Sequence, residues 1–215
     1  MVMYSDFYKL ILVTHRQDAS TSKYLDFIES CVSLKGGVTC VQLREKNTDP
    51  VLTLKWAQKL KDLLNCYSIP LIINDNLDLA NEVDAEGVHL GQSDVPVHVA
   101  RKRLGDTKFI GLSIESESEL NEANYYDINY ISASAVFPSQ HKNNLSTFWG
   151  IDGLRQLCKK SIHPVVGIGG INRNNVSRVI QAGAQGVAVI GALHKVLHPA
   201  QTALALRKII DRGNR

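Results

Sequence analysis

LIINDNLDLANEVDAEGVHLGQSD, residues 71–94, is the stretch whose reading decides the fold. It opens on an apolar run at 71–73, passes through Asn74-Asp75 into a short helical piece near 77–83, and returns to an apolar run at 87–90. Apolar runs of strand length on either side of a helical piece read as two parallel strands joined by a crossover helix. Each run is stopped by polar residues: Asn74 and Asp75 after the first, Asp94 shortly after the second.

The same unit recurs on both sides of this stretch. Upstream lies a strand at 10–14, then a helix at 22–34 whose Tyr24, Leu25, Ile28, Cys31 and Val32 share one face, ended by Gly36-Gly37. A strand at 38–43 follows, and Asn47-Thr48-Asp49-Pro50 marks the start of a helix running through Leu64. Downstream, Pro96 begins a helix. Strands at 109–113 and 130–136 flank an acidic helix at 116–126, strands at 165–168 and 186–190 come next, and an amphipathic helix at 200–210 closes the chain. Eight strand-then-helix units with no linker or low-complexity segment predict one closed (β/α)8 TIM barrel spanning 1–215, in preference to an open doubly wound sheet. A length of 215 residues is enough for that barrel, and one domain is the expected count.

Composition narrows the function classes. A hydrophobic share of 44% and a charged share of 21%, with no long apolar run, are those of a soluble protein with no membrane span. The start of the chain has no basic region or small-residue cleavage site, so the expected compartment is the cytosol. Cys31, Cys40, Cys66 and Cys158 are scattered without C-x-x-C spacing, which argues against zinc and against a disulfide framework. The net charge of +3 is small and no Lys/Arg block interleaves with aromatics, so nucleic acid is not an expected partner. Small molecules are, and the reading leaves room for a homo-oligomer.

In such a barrel the chemistry gathers where the strands end, because the loops there surround one mouth. Gln42, Arg44 and Lys46 alternate at period two, which places three donors on one side of an extended segment, suited to one anion. Asp75 and Asp94 end neighbouring strands and are hard oxygen ligands suited to Mg²⁺, with a diphosphate completing its shell. Each aspartate could instead cap the helix after it. Ser113 ends the fifth strand. Gly167-Ile168-Gly169-Gly170-Ile171 and Ile190-Gly191-Ala192 end the last two, where glycines let main-chain amides approach a phosphate. The plainer alternative there is a pair of tight turns without a ligand. Two anion sites at one mouth imply two phosphorylated substrates.

These residues resemble the thiamine-phosphate synthase family across nearly the whole chain. The matching segments are VQLREK (41–46), LIINDNLDLA (71–80), GVHLGQSD (87–94), IGLS (110–113), VFP with Lys142 beyond it (136–138), VVGIGGIN (165–172) and GVAVIGAL (186–193). The resemblance implies that Gln42, Arg44, Lys46, Asn74 and Lys142 hold an aminopyrimidine diphosphate, and that Asp75 and Asp94 bind Mg²⁺ bridging it. It implies that Ser139 makes a hydroxyl contact, that Gly170 and the Ile190-Gly191 backbone hold a thiazole phosphate, and that Ser113 and Lys142 act near the reacting groups. The diphosphate would leave first, and the thiazole nitrogen would capture the resulting pyrimidine-methyl cation. The loop after the sixth strand reads Ser139-Gln140-His141-Lys142 where the family has Thr-x-Thr-Lys. Two rivals stand beside this reading. One is the related thiazole tautomerase, whose expected histidine position holds Glu115, and the other is a non-catalytic phosphate-binding barrel. His89, inside a strand, reads as a core residue, and among the histidines only His141 is a candidate for function.

Overall fold

Every apolar run becomes a parallel strand in the computed structural model, which describes residues 6–16, 19–33, 37–46, 48–139 and 148–213. The strands are β1 (Leu10–Val13), β2 (Cys40–Leu43), β3 (Leu71–Asn74), β4 (Gly87–Leu90), β5 (Phe109–Ile114), β6 (Tyr130–Ser134), β7 (Val165–Ile168) and β8 (Gly186–Val189). They pair in sequence order and β8 returns to β1, so the sheet closes into a barrel. Between them run α1 (Thr21–Val32), α2 (Pro50–Cys66), α3 (Leu77–Glu82), α4 (Val97–Leu104), α5 (Glu117–Ala123), α6 (Gly150–Lys160) and α7 (Val176–Gln181). The short α8 (Gly191–His194) and the long α9 (Pro199–Gly213) follow β8. No helix among the described residues is long and apolar enough to cross a membrane.

Local chemistry explains the boundaries. Asp49 caps α2 by accepting the Leu52 amide at 3.0 Å, with Pro50 at the first helical position, where its missing N–H costs nothing. Ser116 and Glu119 close a reciprocal capping box that starts α5. β6 was expected to reach residue 136 and ends at Ser134, but the amides of Val136 and Phe137 still donate to Ile168 and Gly169, so the chain stays against β7 past the strand. α6 and α7, which the unit count required, have buried faces of Leu154 and Leu157 and of Val176, Val179 and Ile180.

Alternation of side chains across the sheet produces two cores. One lies between barrel and helices, where residues such as Leu10, Ile28, Leu60, Leu71, Val88 and Leu206 are fully buried. The other fills the barrel: Ile11, Val13, Cys40, Ile72, Tyr130, Val166 and Ala188, with Phe7 at the bottom stacked on Phe109 at 4.1 Å between ring centroids. Tyr130 fits there because its β5 neighbour is Gly111: a Cβ on that residue would lie 2.2 Å from the tyrosine ring. Among the described residues the interior is packed shut below, by Phe7 against Phe109 and Tyr130.

Candidate active site

Just past β3, Asp75 donates its amide to the carbonyl of His89 on β4 at 2.9 Å and then adopts φ +63. That left-handed turn, which aspartate tolerates better than most residues, breaks the strand's in-and-out alternation and frees the side chain from the outer face. Its carboxylate meets that of Asp94 in the loop after β4, and Arg44 and Lys46 from the end of β2 act on it electrostatically. Burial first, and the contact with Asp94 second, raise the Asp75 carboxyl from its ordinary 3.8 to about 6, against the opposing pull of Lys46 and Arg44. Neither aspartate serves as a helix cap. Asn76 caps α3 through the Leu79 amide, Pro96 stands at the cap of α4, and Asp94 accepts the Gly91 amide at 2.6 Å. Two carboxylates brought together beside two cations, with no capping duty, form a hard-oxygen pair that suits Mg²⁺. Among the described residues, no group of three or more His, Cys, Asp or Glu could hold a metal.

Arg44 is held by its backbone: its amide donates to the buried Thr14 hydroxyl at 2.8 Å, while Thr14 N–H donates to the carbonyl of Gln42. β1 thus sets the direction in which β2 delivers its basic residues. Glu45 lies beside them, half-buried. Its carboxyl is raised by burial, against the pull of Arg16 and a hydrogen bond from Thr14.

Below these charges lies a polar floor. Gln42, 4% exposed, acts on the Tyr130 hydroxyl, against the burial that raises it. Tyr130 bonds His89 Nδ1 at 2.9 Å, His89 Nε2 bonds Ser113 Oγ at 3.0 Å, and Ser132 Oγ stands 3.4 Å from both Ser113 Oγ and His89 Nε2. All of these residues have inward parity on their strands. His89 is buried, as expected of a strand histidine, yet it does more than fill space, because it grips Ser113 directly. Gln92 donates to the Ser113 carbonyl at 2.6 Å and so ties the loop after β4 to β5. Asn74 also ends its strand with inward parity, paired with His89 across β3 and β4.

Across the barrel, β7 runs into Gly169 (φ +95) and Gly170 (φ +62). A Cβ on Gly170 would lie 2.6 Å from the Pro138 carbonyl, so the loops after β6 and β7 touch, and Ser139 follows Pro138 in the chain. Asn175 Nδ2 donates to the Gly170 carbonyl at 3.0 Å, and the Ile190-Gly191 peptide opens α8. Lys142 and His141 lie outside the described residues. Strand order puts β3 and β4 opposite β7 and β8, so the charged cluster faces the glycine turns across the mouth.

A family model described as thiamine monophosphate synthase matches residues 10–193, from the first strand into α8. The chain belongs to that family. The thiamine-phosphate synthase of Chlamydia abortus is 44% identical over 99% of this chain and 100% of its own length. That of Vibrio campbellii is 45% identical over 86% of this chain and 90% of its own. Among solved structures, thiamine phosphate pyrophosphorylase from Pyrococcus furiosus superposes with a TM-score of 0.86 at 31% identity, covering 97% of this chain and 98% of that one.

Within this family barrel, the structure gathers Gln42, Arg44, Lys46, Asn74, Asp75, Asp94 and Ser113 at the ends of β2 to β5, and Ser139, Gly170, Ile190 and Gly191 at the ends of β6 to β8. Reading the sequence alone passed over Tyr130 and Ser132. The available signal was parity: both occupy inward positions in register with Gly111 and Ser113. Glu115, where the tautomerase reading expects a histidine, lies at the α5 cap, its amide bound by Glu119 at 2.6 Å.

Proposed function

We propose that the protein is a transferase that condenses hydroxymethylpyrimidine diphosphate with thiazole phosphate, giving thiamine phosphate and pyrophosphate. The observation that carries this reading is the meeting of Asp75 and Asp94 beside Arg44 and Lys46, in a chain of the thiamine monophosphate synthase family. Asp75 and Asp94 would hold Mg²⁺. The bound cation would relieve the repulsion between the two carboxylates and help stabilise charge developing on the departing diphosphate. Arg44 and Lys46 supply donors to the same oxygens, and no protein nucleophile is required. Gln42 and Asn74 orient the pyrimidine above the floor. Ser113 offers its hydroxyl to the reacting groups while His89 holds it in place. Lys142 from the β6 loop would add a further cation. On the opposite rim, Ser139, Gly170 and the Ile190-Gly191 peptide would take the thiazole phosphate, chiefly through main-chain amides.

The test is to incubate the protein with both substrates, with and without Mg²⁺, and to measure thiamine phosphate and pyrophosphate. Both products should form in equal amounts, and only with the metal. No product in the presence of metal would leave a phosphate-binding barrel, and full activity in a chelator would remove the role given to the two aspartates.

A further inference from the structure

One hydrogen-bonded chain joins the end of β1 to the β8–α8 junction. His15 N–H donates to the Tyr24 hydroxyl at 2.7 Å, that hydroxyl lies 2.6 Å from His194 Nε2, and His194 Nδ1 lies 2.8 Å from the Ile190 carbonyl. A carbonyl can only accept, so Nδ1 carries the proton. In the neutral ring Nε2 then accepts from the tyrosine. Every step has one consistent direction: His15 amide to Tyr24, Tyr24 to His194, His194 to Ile190. Tyr24 is 5% exposed, and burial pushes its hydroxyl well above the usual tyrosine range, which keeps it a donor. Phe27 packs on the imidazole at 4.8 Å between centroids, and Tyr24 stacks on it at 5.7 Å.

The geometry points to Tyr24 and His194 as positioning residues for the phosphate-binding peptide at Ile190-Gly191. In a trans peptide the carbonyl of one residue and the N–H of the next point in opposite directions. The Ile190 carbonyl is held from three sides, by the amides of Leu193 (3.1 Å) and His194 (3.2 Å) and by His194 Nδ1 (2.8 Å). Fixing that oxygen fixes the opposite aim of the Gly191 N–H. Glycine has no Cβ to restrict its backbone, so without the imidazole this peptide has only α8, four residues long, to hold it. Tyr24 restrains the ring that restrains the peptide, and through His15 it couples the β1 loop to the same point. The inference rests on the reading that Gly191 contributes to a thiazole phosphate site.

Calorimetric titration separates the two. Thiazole phosphate alone, and pyrophosphate with Mg²⁺, are each titrated into the wild type and into His194→Ala, His194→Asn and Tyr24→Phe. His194→Ala should weaken thiazole phosphate about tenfold, one hydrogen bond's worth, and change pyrophosphate by less than about twofold. Tyr24→Phe should weaken thiazole phosphate about threefold. Asparagine can still donate to the Ile190 carbonyl, so His194→Asn should recover most of the alanine loss. If the wild type binds thiazole phosphate and every variant binds it equally, or if both ligands weaken alike, the positioning role falls and the site remains. A wild type that does not bind thiazole phosphate ends both. Should His194→Ala not fold, Tyr24→Phe, which removes a single oxygen, decides the matter.

Discussion

At Asp75 two unfavourable features coincide, a left-handed backbone and a carboxylate facing another carboxylate. Such features persist where the surroundings hold them, and here the His89 carbonyl and the cap at Asn76 fix the chain on either side. Because the folded-state value lies above the ordinary one, the native protein without metal binds this proton more readily than the unfolded chain does. Stability therefore falls as pH rises through the interval from 3.8 to about 6. Asp75→Asn should remove that dependence. Its urea midpoint, compared with wild type in the absence of Mg²⁺, should gain on the wild type between pH 4.5 and pH 8, and a constant difference across that range would mean that neither burial nor Asp94 raises the Asp75 carboxyl in the folded protein. In the presence of Mg²⁺, Asp75→Ala and Asp94→Ala should each lose about a hundredfold or more in turnover while keeping the wild-type circular dichroism. Both aspartates could be picked out of the sequence because they end apolar runs. Their pairing was expected from neighbouring strands, but the positive φ at Asp75 was not, since no neighbouring residue announces it.

Among the elements, the loops after β6 and β7 behave as one unit. The Phe137 amide reaches the Gly169 carbonyl, and Gly169 and Gly170 give the backbone the two left-handed steps that bring it under Pro138. Gly170→Ala would force a Cβ to 2.6 Å from the Pro138 carbonyl at a φ of +62. It should cost about 2 kcal/mol by urea denaturation, and it should raise the KM for thiazole phosphate more than that for the pyrimidine diphosphate. An alanine variant with unchanged stability would show that this contact is loose. The capped helix start at Asp49-Pro50 was legible because its capping group is local in sequence. The end of β6 was misplaced by two residues because β-branched and small residues continue past Ser134 while the regular ladder stops.

For the molecule as a whole, a barrel plugged below by Phe7 and Tyr130 leaves its charged rim as the one end where cation and diphosphate are expected to bind together. Ligands that bind only the native state raise its stability in proportion to their saturation. Mg²⁺ and pyrophosphate together should lift the melting temperature by about 5 °C or more at saturating concentrations, and either alone by clearly less. Equal shifts with pyrophosphate alone would mean that Arg44 and Lys46 suffice without the aspartates. What the sequence determined unaided was periodicity: which runs are strands, which stretches are helices, and which polar residues end each strand, because side-chain alternation and capping are properties of neighbours along the chain. Tertiary closure alone decided which ends face one another. The bond between Tyr24 and His194 spans 170 residues and that between His89 and Tyr130 spans 41, and a hydrogen bond's direction exists only once the barrel has brought its two atoms together.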